Sequence, residues 1–141
     1  MVDFNVECIK DCMLLIQQKL SNANTDIPKP ISWAIIYNDE YLTSRYSVCD
    51  IKYTLTELLE INYIISKDYL PNYNNGHVNR FHIYNITPDG YDFLKIAKDD
   101  KLWKKTVNKV STINRDIVFK SLTTVIASII SGLAQKAIIT L

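Results

Sequence analysis

The sequence predicts an α+β fold dominated by helices, and three observations predict it. Apolar residues recur at three- and four-residue steps in several separate stretches. One stretch among them alternates with a period of two beside Asn75-Gly76, the strongest short hairpin signal. Only 3 Gly and 4 Pro punctuate the chain, too few for a many-turned all-β barrel. With 48% apolar and 22% charged residues it can bury a real core, which excludes a disordered or collagen-like chain.

The elements follow in order. Val6–Leu20 reads as an amphipathic helix, with Ile9, Met13, Ile16 and Leu20 on one side, Cys12 beside them, and Glu7, Lys10, Asp11, Gln17 and Lys19 mostly opposite. Residues 21–30 (SNANTDIPKP) form a polar, Pro-containing stop. Residues 31–46 fit both a strand and a helical turn. The expectation is a short extended piece near Ile31, then an irregular or helical turn. Ser47–Glu60 is a helix capped by Ser47, with Val48, Ile51, Leu55, Leu58 and Leu59 as its buried stripe.

Residues 61–70 turn to strand character through Tyr63, Ile65 and Tyr69. Asn75-Gly76 lies in the polar tip of a hairpin. In the returning strand Phe81, Ile83 and Asn85 alternate with His82, Tyr84 and Ile86. Thr87 caps the next helix, with Pro88 at its first position and Asp89 near its positive end. Tyr91, Phe93, Leu94 and Ala97 are expected to pack inward. Asp99-Asp100 marks a break and a new cap, after which Leu102, Trp103, Val107 and Val110 resume a helical pattern. A final helix begins near Asn114. Its apolar positions Val118, Leu122, Val125, Ile126, Ile129, Ile130, Leu133, Ala137 and Ile138 are expected to cover more than one narrow stripe.

A helix followed directly by a hairpin with a polar loop is the arrangement of a winged helix-turn-helix. On that reading residues 1–110 form the winged domain, with Ser47–Glu60 as recognition helix and residues 71–79 as wing. Residues 111–141 add a C-terminal helix expected to oligomerise.

Three stretches also resemble an uncharacterised winged-helix family of phages and prophages of Gram-positive bacteria, a domain of unknown function. They are YTLTELLEINYI at 53–64, ITPDGYDFL at 86–94 and AKDDKLW at 97–103. The resemblance covers about residues 4–110. Tyr91 stands where that family usually has His, and Lys95 where it usually has an acid. The resemblance implies the winged fold and brings no activity with it.

No enzyme is expected. His77 and His82 are the only histidines, and no acid and nucleophile are arranged around them. No phosphate loop, dinucleotide fingerprint or zinc-protease motif is present, and no metal or cofactor is expected. Cys8, Cys12 and Cys49 are an odd set, read as thiols of a reducing, cytoplasmic environment. Residues 1–10, with Asp3, Glu7 and one Lys, do not read as a signal peptide. Residues 121–141 carry one charge, Lys136, but hydroxyl residues and Gly132 dilute the stretch, so no membrane span is expected.

The partner is less determined. Net charge is +1, so no global field advertises nucleic acid. The leading expectation is a DNA-binding regulator. The alternative is a protein-interaction module, such as a phage-encoded adaptor or an inhibitor of a host defence system. Either would use Arg45, Lys52, Tyr53 and Thr56 at the recognition helix and Lys67, His77, Asn79 and Arg80 on the wing. Against DNA, Asp50, Glu57 and Glu60 share that helix face. The densest cationic cluster, Lys95, Lys98, Lys101, Lys104, Lys105 and Lys109, reads as a solvated helix face. A homodimer through the C-terminal helix is expected, because so wide an apolar surface would otherwise meet water.

Overall fold

The computed structural model describes residues 6–21, 30–68, 81–110 and 115–139, and in the last stretch the side chains of 117–134. The wing tip, with His77, Asn79 and Arg80, lies outside the described residues, as does Tyr69. The fold is mixed α+β, mostly helical with small antiparallel ladders. Two compact units form, one of Glu7–Tyr91 and one of Met1–Val6 with Asp92–Leu141.

In the first unit the elements run α1 (Val6–Ser21), β1 (Ile31–Ser32), α2 (Trp33–Tyr37), α3 (Glu40–Arg45), α4 (Val48–Glu60), β2 (Ile64–Ile65), β3 (His82–Ile83) and β4 (Asn85–Ile86). The ambiguous stretch 31–46 is thus one extended pair followed by two short helices. Side chains set their starts: Ser32 accepts from the Ala34 N–H and Asp39 from the Leu42 N–H. Ser47 caps α4 by accepting from the Asp50 N–H at 3.1 Å.

The buried stripe of α4 is Ile51, Thr54, Leu55 and Leu58. Val48 and Leu59 were expected in it, but Val48 is 40% exposed and Leu59 half-buried. Thr54 takes the inward position because its polar group is satisfied there. Its hydroxyl donates to the Asp50 carbonyl at 2.7 Å and lies 3.4 Å from Cys8 Sγ on α1. Either group can be the donor in that contact, and the hydrogen bond with Cys12, working against burial and helped by Thr54, lowers the Cys8 thiol pKa below its ordinary value. Cys12, one turn on, is buried as well; its hydrogen bond with Cys8, then burial, raise its thiol pKa well above the ordinary value.

The strand expected over 61–70 shrinks to Ile64–Ile65 because the end of α4 takes the residues before it. Asn62 adopts φ 64°, the Tyr63 N–H returns to the Leu58 carbonyl, and the Asn62 N–H returns to that of Leu59. That is the left-handed helix stop in which glycine is commonest and asparagine next. β2 pairs antiparallel with β4, Ile64 opposite Ile86 and Ile65 opposite Asn85. β1 pairs antiparallel with β3, Ile31 opposite Ile83 and Ser32 opposite His82. The returning segment therefore serves two partners, changing over at Tyr84. The expected alternation fails at that switch: Phe81 and Ile83 are buried on schedule, then Ile86 is buried and Asn85 exposed.

Thr87 joins this end of the sheet to the following helix, α5 (Pro88–Ala97). Its hydroxyl donates to the Asn62 carbonyl at 2.6 Å and accepts from the Gly90 N–H at 3.0 Å. Gly90 itself is required by close approach. A Cβ there would run into the Tyr63 carbonyl oxygen and come within 2.6 Å of Ile86 Cγ2. Gly90, not Tyr91, is the inward residue of this turn; Tyr91 is 48% exposed.

In the second unit α6 (Asp100–Lys109) is capped by Asp99, which accepts from the Leu102 N–H at 3.0 Å. Trp103 is buried, with its ring 5.8 Å from that of Phe93 in an edge-on arrangement. Thr106 and Val110 continue the buried side, while Val107, expected to join it, is exposed. α7 (Arg115–Ile139) has the length and composition of a membrane-crossing helix over Ile117–Ala134, with mean hydropathy 1.8. At 100° per residue its described large apolar side chains from Val118 onward nonetheless share an arc of about 140°, with half-buried Ile117 outside it. Val118, Phe119, Leu122, Ile126 and Ile129 are buried there, with Val125, Ile130 and Leu133 half-buried beside them. The outer arc is Thr124, Ala127, Ser128, Ser131 and Ala134 with Lys120, small rather than apolar. Over residues 118–134 the outward apolar surface of α7 is narrower than its composition suggests.

Candidate functional site

The cations on and just before α4 are already occupied. Arg45, in the last turn of α3, pairs with Asp11 of α1 at 2.9 Å. The same nitrogen donates to the Tyr41 hydroxyl. The guanidinium carbon lies 5.4 Å from the Tyr41 ring centroid and 5.5 Å from that of Tyr46. The Tyr46 hydroxyl donates to the same Asp11 oxygen at 2.7 Å. Burial, reinforced by that hydrogen bond, pushes the Tyr46 phenol pKa well up, so it remains the proton donor. Asp11 is nearly buried while the Arg45 side chain is 42% exposed. The nest is thus built inward from Asp11 and shows water an arginine flanked by tyrosines.

Lys52 is half-buried and directed back into its own unit. Its Nζ sits 4.6 Å from the Tyr37 ring centroid and 5.5 Å from that of Trp33. Trp33 in turn packs on Phe81, ring centroids 5.0 Å apart. Tyr53 is half-buried, and the Thr56 hydroxyl donates to the Lys52 carbonyl at 2.9 Å. The structure brings Lys52, Tyr53 and Thr56 onto α4 with Asp50, Glu57 and Glu60, so the helix presents no uncommitted cation among the described residues. The exposed apolar groups nearby in sequence are Tyr41, 56% exposed, and Val48.

At the hairpin base Lys67 is exposed over the Tyr84 ring at 5.3 Å. Asp68 accepts from the His82 backbone N–H at 2.9 Å, meets His82 Nδ1 at 2.7 Å and accepts from the Ser66 hydroxyl at 2.8 Å. These donors, the His82 backbone first and its ring next, lower the Asp68 pKa to about 2. Among the described residues no three of His, Cys, Asp and Glu are grouped to hold a metal ion.

Sequence reading missed Asp11, Tyr41 and Tyr46. Tyr41 and Arg45 stand four apart on one helix, a spacing that signals contact. Asp11 lies 34 positions from Arg45, and nothing in the local pattern points to it.

Charge divides sharply along the chain. Residues 1–91 hold seven Lys and Arg against eleven Asp and Glu, and residues 92–141 hold nine against four, so net −4 is followed by net +5. The model of a family described as "Hypothetical protein (DUF2513)" matches residues 3–115. No curated protein and no solved structure matches the chain.

Proposed function

The chain belongs to the DUF2513 family of hypothetical proteins, and we propose that it is a non-enzymatic winged helix whose α4 side binds a protein partner. The element order supports the winged reading: α1, β1, short helices, α4, then β2 and a returning segment whose two halves pair in turn with β1 and β2. In that arrangement α4 is the recognition helix and residues 71–79, outside the described residues, are the wing.

The observation that carries the partner class is the state of Arg45. A DNA-reading cation must be available to phosphate or base edges, whereas Arg45 is held by Asp11, Tyr41 and Tyr46. An exposed Arg framed by tyrosines has the composition of a protein-interface hot spot. The acids of α4 add repulsion toward a phosphate polymer and none toward a protein.

A photo-crosslinker placed on exposed Cys49, beside Val48, tests this in the host cell. A protein adduct of defined mass is expected, lost when Tyr41→Ala and Arg45→Glu are combined. Adducts to DNA instead would restore the regulator reading, for which the winged element order speaks.

A further inference from the structure

We infer that the lysine face of α6 is a docking surface for the phosphate backbone of duplex nucleic acid, read without regard to sequence. Lys101, Lys104, Lys105 and Lys109 fall within an arc of about 140° on α6, opposite the buried arc of Trp103, Thr106 and Val110. All four are exposed and make no ion pair with a described residue. Of the two neighbouring acids, Asp99 caps the helix, while exposed Asp100 borders the arc beside Lys104 and offsets one of the four charges. Along the helix axis, Lys101 to Lys109 spans about 12 Å at 1.5 Å per residue, the axial length of three to four phosphates on one strand.

The chemistry of the face selects among polyanions. Docking on a lipid surface needs an apolar side to insert, and most of the apolar side of α6 is buried within the protein, leaving half-buried Leu102 and exposed Val107 at the two edges of the lysine arc. Single-stranded nucleic acid wants aromatic platforms among the cations, and no exposed aromatic side chain lies on α6. Protein interfaces are centred on aromatic or large apolar anchors, and this face offers no exposed aromatic and only Val107 and half-buried Leu102 at its edges. A regular phosphate polymer needs only positive charge at regular spacing, which is what this face offers. The inference is independent of the α4 proposal, because no residue is shared and α6 lies in the other compact unit.

The test is fluorescence anisotropy of the full chain with a labelled duplex of about 20 base pairs, over about 25 to 200 mM salt. Expected is binding at the low end, with an affinity that falls linearly on log–log axes. Replacing Lys101, Lys105 and Lys109 together by Gln should flatten that slope by about 2.7, at about 0.9 per phosphate contact. Replacing the same three by Arg should preserve both affinity and slope, which separates charge from any loss of folding. Arg45→Glu should leave the slope unchanged. No binding at the lowest salt, or an unchanged slope in the Gln variant, overturns the inference. So does tighter binding to anionic phospholipid vesicles than to the duplex.

Discussion

The two compact units handle charge in opposite ways. In Glu7–Tyr91 the described candidate cations are used internally: Arg45 on Asp11, Lys52 over Tyr37 and Lys67 over Tyr84. In Asp92–Leu141 the lysines of α6 face water with no described partner. The difference teaches that a basic residue on the expected recognition element is weak evidence of a nucleic-acid contact. What matters is whether the fold already satisfies it. A committed cation helps hold the fold, and a free one is available to a partner.

The largest expected effect tests whether the helical unit has a core of its own. Trp103→Ala should cost about 3–5 kcal/mol, since a buried ring packed on Phe93 is replaced by a void. Each unit holds one tryptophan, Trp33 or Trp103, so fluorescence in chemical denaturation can follow the survivor. If Trp33 stays buried while helicity falls, the units are separately stable. A coincident loss of both makes them one cooperative body, and the comparison then concerns two surfaces only.

Next comes Gly90→Ala, which forces a methyl group into the Tyr63 carbonyl and Ile86. A loss of about 1–3 kcal/mol is expected from overpacking, read as a drop in denaturation midpoint. No loss would mean that α5 can back away from the sheet.

A gain is expected from Asn62→Gly, because glycine reaches the left-handed region without the Cβ penalty. The increase should be under about 1 kcal/mol, visible as a small rise in melting temperature.

The smallest effect is that of the exposed Asp68–His82 pair. The Asp68 carboxyl is held at about 2, below its ordinary 3.8. Its contribution is therefore fully present above pH about 4 and is lost as pH falls through about 2. The protection of the His82 amide, taken relative to its intrinsic exchange rate at each pH, should fall over that window, and Asp68→Asn should flatten the profile. An unchanged profile in the variant would place the protection elsewhere.

Much of the fold was legible because its signals are local. Ser47, Thr87 and Asp99 are caps that act within three residues, and each stands where its helix begins. The antiparallel return of Asn85–Ile86 onto β2 was also legible from alternation and Asn75-Gly76. What escaped depends on distance in sequence. The change of strand partner at Tyr84 requires β1, some 50 residues earlier, and β-pattern reading of one segment cannot show two partners. Tyr91 looked inward by composition, but the turn is seated by its glycine, and only the Tyr63 backbone says so. The candidate site suffered most: Arg45 and Lys52 were identified by charge, and the groups that occupy them come from α1 and α2.

The three cysteines offer a chemical clock. Cys49 is open at the start of α4, while Cys8 and Cys12 are sealed against solvent, and all three belong to the same compact unit. An alkylating reagent should therefore consume one equivalent at once and then stall. The remaining two equivalents appear only as fast as α1 lifts away from Thr54 and exposes its thiols. Mass spectrometry of timed quenches then reads the opening frequency of this one unit, with no cysteine in residues 92–141 to blur the count.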